Sequence, residues 1–328
     1  MNLKGSQANG SFQKNSILQS TLIKIVIDFV QILTLISEFN FDFPLVVDYL
    51  YDGITKIIPT NLDAVSVDCF IALSKVFFWN SFKSSLLEKG SNKHIFFNKV
   101  LVVLAEPFAY MIFAYLIWVM IFRRKKAPIF KNPEFKYNML LTIIVIIYVL
   151  QPGIIKIMFE LFNCKNYGTE EDPKYYLAYD VNVECWKPEH LVWGLCIAIP
   201  TLIVGLFIPF GILSYWTRDK DMKASQKIQK VYAFIFKSYQ NNALFWEKTI
   251  LVRKVLLILI SVFVTSQYLQ AYLGFLLLAL YYCFLIKIAP YNNPQLNLAE
   301  SIGVVSSAFI LYSGLYFVQG KIWNLFSF

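Results

Sequence analysis

Two cysteines and a few charges set into apolar runs are the residues of this chain with chemistry to offer. Cys164 and Cys185 bracket a stretch that holds Glu170, Glu171, Asp172, Asp180 and Glu184. On an oxidising side of a membrane such a pair closes as a disulfide. A loop of that size gains roughly 3 kcal/mol in the chain-entropy account. Cys69 is the competing partner, and three free thiols are the remaining alternative. Cys196 and Cys283 fall inside apolar runs. The chain has 2 histidines, His94 and His190, and neither stands at ligand spacing to a cysteine pair. No metal site and no cofactor is therefore expected.

The charges form a second set. Glu106 precedes Pro107 deep in one apolar run, and Lys156 and Glu160 stand four apart in the next. Glu247, Lys248, Arg253 and Lys254 cluster at the start of another run, and Glu300 opens the last. A charge at the bilayer centre costs about 2.5–3.5 kcal/mol on insertion scales. Such groups face a bundle interior or water, or reach an interface with their heads. Glu106, Lys156 and Glu160 are the candidates for a transport path, and structural pairing is the competing role. Lys156 and Glu160 also suit an intrahelical pair, as do Lys24 and Asp28. Pro107, Pro152, Pro200 and Pro209 lie in apolar runs, where each removes a backbone hydrogen bond and bends a helix. The bends either line a cavity or only curve the packing.

No Walker loop, GxSxG, HExxH or dinucleotide fingerprint occurs. The chain is not expected to be an enzyme.

The elements that must hold these residues are membrane helices. Hydrophobic residues make up 57% of the chain and charged ones 16%, against roughly 25% in soluble domains. Mean hydropathy is +0.54. The run Phe97–Phe122 is long enough to cross a bilayer, and Arg123, Arg124, Lys125 and Lys126 close it. Four cations mark that end as cytoplasmic. The net charge of +9 comes from cations beside apolar runs, not from a nucleic-acid stripe. The expected spans are 17–37, 97–122, 138–162, 191–216, 249–266, 268–288 and 299–318. The fold class is all-α, a polytopic bundle of about seven transmembrane helices with an outer interfacial helical region.

Loop charge tests the alternation. Segment 217–248 is rich in lysine and belongs inside. Segment 163–190 is acidic and belongs outside. The organisation is then a cytoplasmic segment 1–16, a helical domain 17–318 and a tail 319–328. Within the domain, 38–96 is an outer interfacial segment. No cleaved leader is expected at the polar N-terminus, which stays cytoplasmic.

Several stretches resemble, in order, the membrane region of large protist proteins described as TRP-like. They are IKIVIDFVQILTLISEFNFDFP, SVDCF, QPGIIKIMFELFNC, YLAYDVNVECW, IPFGIL, FKSYQNNALFWEKTILVRKVLLI and KIAPYNNPQLNLAESIGVVSSAFILYSGLYF. The order along the chain carries the likeness. Cys69, Cys164 and Cys185 match the family's external cysteines. The chain departs from the family in two ways. It lacks the cysteine-rich, EGF-like ectodomain and the further span, so it is expected to be a shortened relative or a subunit. It also leaves no room for a tetrameric-channel filter between its last two helices. The resemblance implies an ion channel or channel-like transport protein in a plasma or ciliary membrane. The alternative is a structural or accessory subunit of a larger membrane complex with no transport pathway. Its partners would be the lipid bilayer and other membrane subunits or further copies, not nucleic acid.

Overall fold

The computed structural model describes residues 3–39, 41, 95–125, 132–169, 172–218 and 235–326. Most of the interfacial segment 38–96, with Cys69 and His94, lies outside the described residues. So do most of the lysines of 217–248.

Seven helices hold most of the described residues. α1 is Leu3–Ser37, α2 Ile95–Arg124 and α3 Pro133–Glu160. α4 covers 188–218 in five pieces described below. α5 is Trp246–Phe263, α6 Gln267–Ile288 and α7 Pro294–Phe326. Helix thus runs through both residues 3–16 of the polar segment and the stretch 319–326. Six of the seven contain a stretch long and apolar enough to cross a membrane, so the chain is a multi-pass integral membrane protein. The seven helices match the expected number, and α5 alone lacks such an apolar stretch. Its 18 residues include Glu247, Lys248, Arg253 and Lys254. Burial inside the bundle, not apolar composition, is what lets α5 lie among the others.

The acidic segment 163–190 carries a small sheet. Three short antiparallel strands fold there: β1 Cys164–Asn166, β2 Tyr175–Leu177 and β3 Asp180–Glu184. Cys164 pairs in register with Leu177. This sheet caps one end of the bundle over a core of Phe96, Phe97, Met158, Leu161, Leu177 and Val183. We call it the disulfide end and the opposite one the basic end.

The larger core lies among α1, α5, α6 and α7 around Ile36, Trp246, Leu257, Leu278 and Leu311. Burial ranks the helices. About 56% of the α1 span is buried, against 17% for α2 and 11% for α4. α1 is therefore central, and α2 and α4 present apolar faces outward.

The prolines have specific consequences. Pro209 leaves the carbonyl of Gly205 without its helical partner, and the helix widens into a π segment, Ile203–Phe207. Gln151 Nε2 donates to that same Gly205 oxygen at 2.6 Å. A second π segment, Gly194–Ala198, precedes Pro200. In α3, Pro152 frees the carbonyl of Tyr148. Gln31 Nε2, on α1, donates to Tyr148 O at 3.3 Å and to Val149 O at 3.0 Å. A buried glutamine on the central helix thus satisfies the kink beside it.

Candidate functional site

Three cations meet three carboxylates inside the bundle, and each pair carries a tyrosine. Lys24 of α1 pairs with Glu247 of α5. Tyr239 donates to Glu247 Oε2 at 2.9 Å, and its ring centre lies 5.2 Å from Lys24 Nζ. Lys254 of α5 pairs with Asp28 of α1. Tyr148 of α3 donates to Asp28 Oδ1 at 2.5 Å, with its ring centre 4.2 Å from Lys254 Nζ. Arg253 of α5 faces Glu300 of α7 at 3.8 Å. Tyr281 of α6 donates to Glu300, and its ring centre lies 4.0 Å from the Arg253 guanidinium carbon. In each triad the same tyrosine binds the anion with its hydroxyl and the cation with its ring face.

Helix geometry puts the Arg253 triad at one depth, with Lys254 one residue further along α5 and Glu247 about two turns nearer the basic end. Arg253 is seven residues into α5, about 10 Å along the axis; Glu300 is six into α7 and Tyr281 seven before the end of α6, about 9 and 10 Å. All three distances start from the basic end. All six charged residues are buried. Their formal charges cancel, which is the condition for burying ions in a low-dielectric interior.

The two α1–α5 pairs correct the sequence reading of Lys24 and Asp28. These two share a face of α1, as their spacing requires. They do not pair with each other. Each reaches across to α5, where Glu247 and Lys254 stand seven apart. The matching order shows that α1 and α5 run parallel. Lys248, the remaining charge of the cluster, turns away and lies 5.4 Å from the Phe210 ring centre on α4.

The turn before α5 locks the lower triad. Asn292 Nδ2 donates to Tyr239 O at 2.9 Å, and Gln240 N donates to Pro290 O at 2.8 Å. Tyr239 and Tyr291 stack at 4.9 Å. Burial, with Glu247 close by, pushes the Tyr239 phenol well above its ordinary value. Burial and Glu300 do the same to Tyr291.

One small cavity adjoins the triads, with room for about one water molecule, lined by Asp28, Phe29, Arg253, Glu300, Gly303 and Val304. Arg253 Nε and Glu300 Oε2 have no hydrogen-bond partner among the described residues.

The path candidates lie elsewhere. Lys156 joins Glu160 at 3.3 Å, the intrahelical pair that the spacing allowed, and also Glu38 at 2.7 Å. This cluster ties the ends of α1 and α3 at the disulfide end. Glu106 sits half-buried on α2, with no ion-pair partner among the described residues. The structure brings Lys156 and Glu160 together but not Glu106 with either.

Cys164 and Cys185 form a disulfide across the cap, with Cα atoms 6.3 Å apart. His190, at the start of α4, lies against it. Its Nε2 is 2.8 Å from Leu161 O, and its Nδ1 accepts from Trp186 N at 3.3 Å. Trp186 holds a left-handed φ of 68°, unusual for so bulky a residue.

No protein-family model, curated protein or solved structure matches the chain.

Sequence reasoning found all the triad charges but missed the tyrosines. Among 20 tyrosines, nothing in the spacing singles out Tyr148, Tyr239 and Tyr281. Gln31 carried a signal, a polar residue facing Pro152 across two apolar runs. Pairing those runs required the fold.

Proposed function

We propose that this chain is the membrane module of a TRP-like, channel-type protein whose electrically responsive element is the buried stack of three cation–carboxylate–tyrosine triads. The observation that carries this reading is the burial of Lys24, Arg253 and Lys254 in the bundle, each against its own acid and ring. Ionisable groups inside membrane helices mark ion paths, proton relays or voltage sensors. Moving one charge across the membrane is worth about 2.3 kcal/mol per 100 mV. The α5 cations can move against the α1, α3, α6 and α7 partners only by exchanging partners as a unit. On this reading residues 123–126 and the N-terminus are cytoplasmic and the disulfide cap is external, in a plasma or ciliary membrane. Glu106, Lys156 and Glu160 would lie near the conduction path, outside the triad stack.

The test is reconstitution into planar bilayers. The expected result is a current whose voltage dependence becomes shallower in Lys254→Gln. Absence of current across voltage and membrane tension would reject the channel reading.

The second reading, an accessory subunit without a pathway, draws on the outward apolar faces of α2 and α4, where Phe108 and Phe207 are 64% and 69% exposed. A purified complex with stoichiometric partner chains, silent in bilayers, would favour it.

A further inference from the structure

The cap contains a third ligand type that the sequence spacing gave no reason to expect there. Sγ of Cys164, Sγ of Cys185 and a ring nitrogen of His190 all lie within 4.8 Å of one another. The residues come from three places: the start of β1, the residue after β3 and the start of α4. Leu161 O is only an acceptor, so the His190 nitrogen facing it, Nε2, carries the proton. Nδ1 then holds the lone pair. A ring N–H given to a backbone carbonyl is how metal-ligating histidines are oriented. The single partner of Nδ1, the Trp186 amide, is long at 3.3 Å. His190 is 1% exposed, so its ring is fixed by packing.

We propose that the reduced cap is a binding site for a thiophilic, tetrahedral divalent cation of the zinc type. Cys164 Sγ, Cys185 Sγ and His190 Nδ1 are three ligands, and solvent at the half-exposed Cys164 side is the fourth. Zinc–sulfur and zinc–nitrogen bonds of about 2.3 and 2.0–2.1 Å set tetrahedral donor separations of about 3.5–3.8 Å. All three donors already lie within 4.8 Å of one another, and breaking the S–S bond lets the two sulfurs part to that separation.

Disulfide and cation exclude each other. A dithiol reductant gives two electrons and two protons to the sulfurs and itself becomes a disulfide. The S–S bond breaks and two thiols form. The cation then displaces both thiol protons to solvent and binds the thiolates. Either state joins Cys164 to Cys185 across the cap, and the cation adds α4 through His190, so the cap keeps a cross-link in oxidising and in reducing surroundings.

The experiment uses the full chain in detergent with Cys69, Cys196 and Cys283 changed to serine. A trialkylphosphine reduces the disulfide, taking oxygen from water to become the phosphine oxide. Co2+ is the probe, read by its thiolate-to-cobalt charge-transfer band, with Zn2+ as competitor. The reduced protein should take up one Co2+ per chain and release it to Zn2+, while the oxidised protein shows no such band. His190→Ala should weaken binding by about tenfold or more, and His190→Cys should restore it, because a thiolate replaces the lost ligand. Reduced protein without the band, equal binding by H190A, or failure of H190C to rescue would each overturn the proposal.

Discussion

The sharpest consequence of the triad stack is the behaviour of Asp28 and Lys254 when they are changed singly and together. Asp28→Asn keeps the shape of the side chain and leaves an acceptor for Tyr148. It removes the anion beside Lys254, which is 4% exposed. The Tyr148 ring stays at 4.2 Å, so its attraction to the ammonium is unchanged. What is lost is compensation of a buried charge, with Arg253 lining the same cavity as Asp28. Removing one partner of a buried pair costs about 3–5 kcal/mol. Lys254→Met alone leaves Asp28 with Tyr148 and the nearby Arg253, so its cost is smaller, about 2 kcal/mol. In the double variant no charge is stranded and Met occupies the lysine stem's volume. It should cost no more than either single change, giving a coupling of at least about 3 kcal/mol. Reversible unfolding in mixed micelles, read by steric trapping, measures all three. If D28N cost under about 1 kcal/mol, or the double variant simply summed the singles, water would be reaching these charges. The idea of a dry, charge-neutral stack would then be wrong.

Other outcomes follow from particular contacts. A Cβ on Gly314 would meet Phe41 Cδ2 at 2.6 Å, so Gly314→Ala should cost about 1–3 kcal/mol, seen as a lower Tm. Replacing Cys164 and Cys185 by serine opens a loop of sequence separation 21, so the cap should lose about 3 kcal/mol, read as faster amide exchange over β1–β3. Tyr239 and Tyr291 have phenols raised by burial, so the folded state holds their protons where the unfolded chain has lost them. Stability from these groups is complete below the ordinary phenol value of about 10 and falls as pH rises through and above it. Tyrosinate absorbance should therefore appear together with unfolding, and Tyr239→Phe should reduce that alkaline loss. Gln31→Leu removes the donor to the carbonyls at the Pro152 kink and should cost about 1–3 kcal/mol, measured by the same micelle unfolding.

Much of the site was present in the sequence as a set of residues without partners. Glu247, Arg253, Lys254 and Glu300 stood out because charge in an apolar run is costly. Lys156 and Glu160 could be paired from spacing alone, because one helix brings both sides of that contact. The remaining pairs cross between helices, and spacing along one helix carries no information on which face of another meets it. Glu106 illustrates the same limit: its depth is legible, while its neighbour depends on how α2 docks.

The chain's own residues determined the membrane class, six of its spans, the loop-charge pattern and the cysteine pair bracketing the acidic loop, because length and hydropathy act locally along a helix. The tertiary structure alone decided that Lys24 and Asp28 part company to meet α5, that three tyrosines complete the ion pairs, and that His190 lies against the disulfide. Those contacts depend on the rotation and register of helices distant in sequence. They are set by packing and by the need to leave no buried charge unpaired.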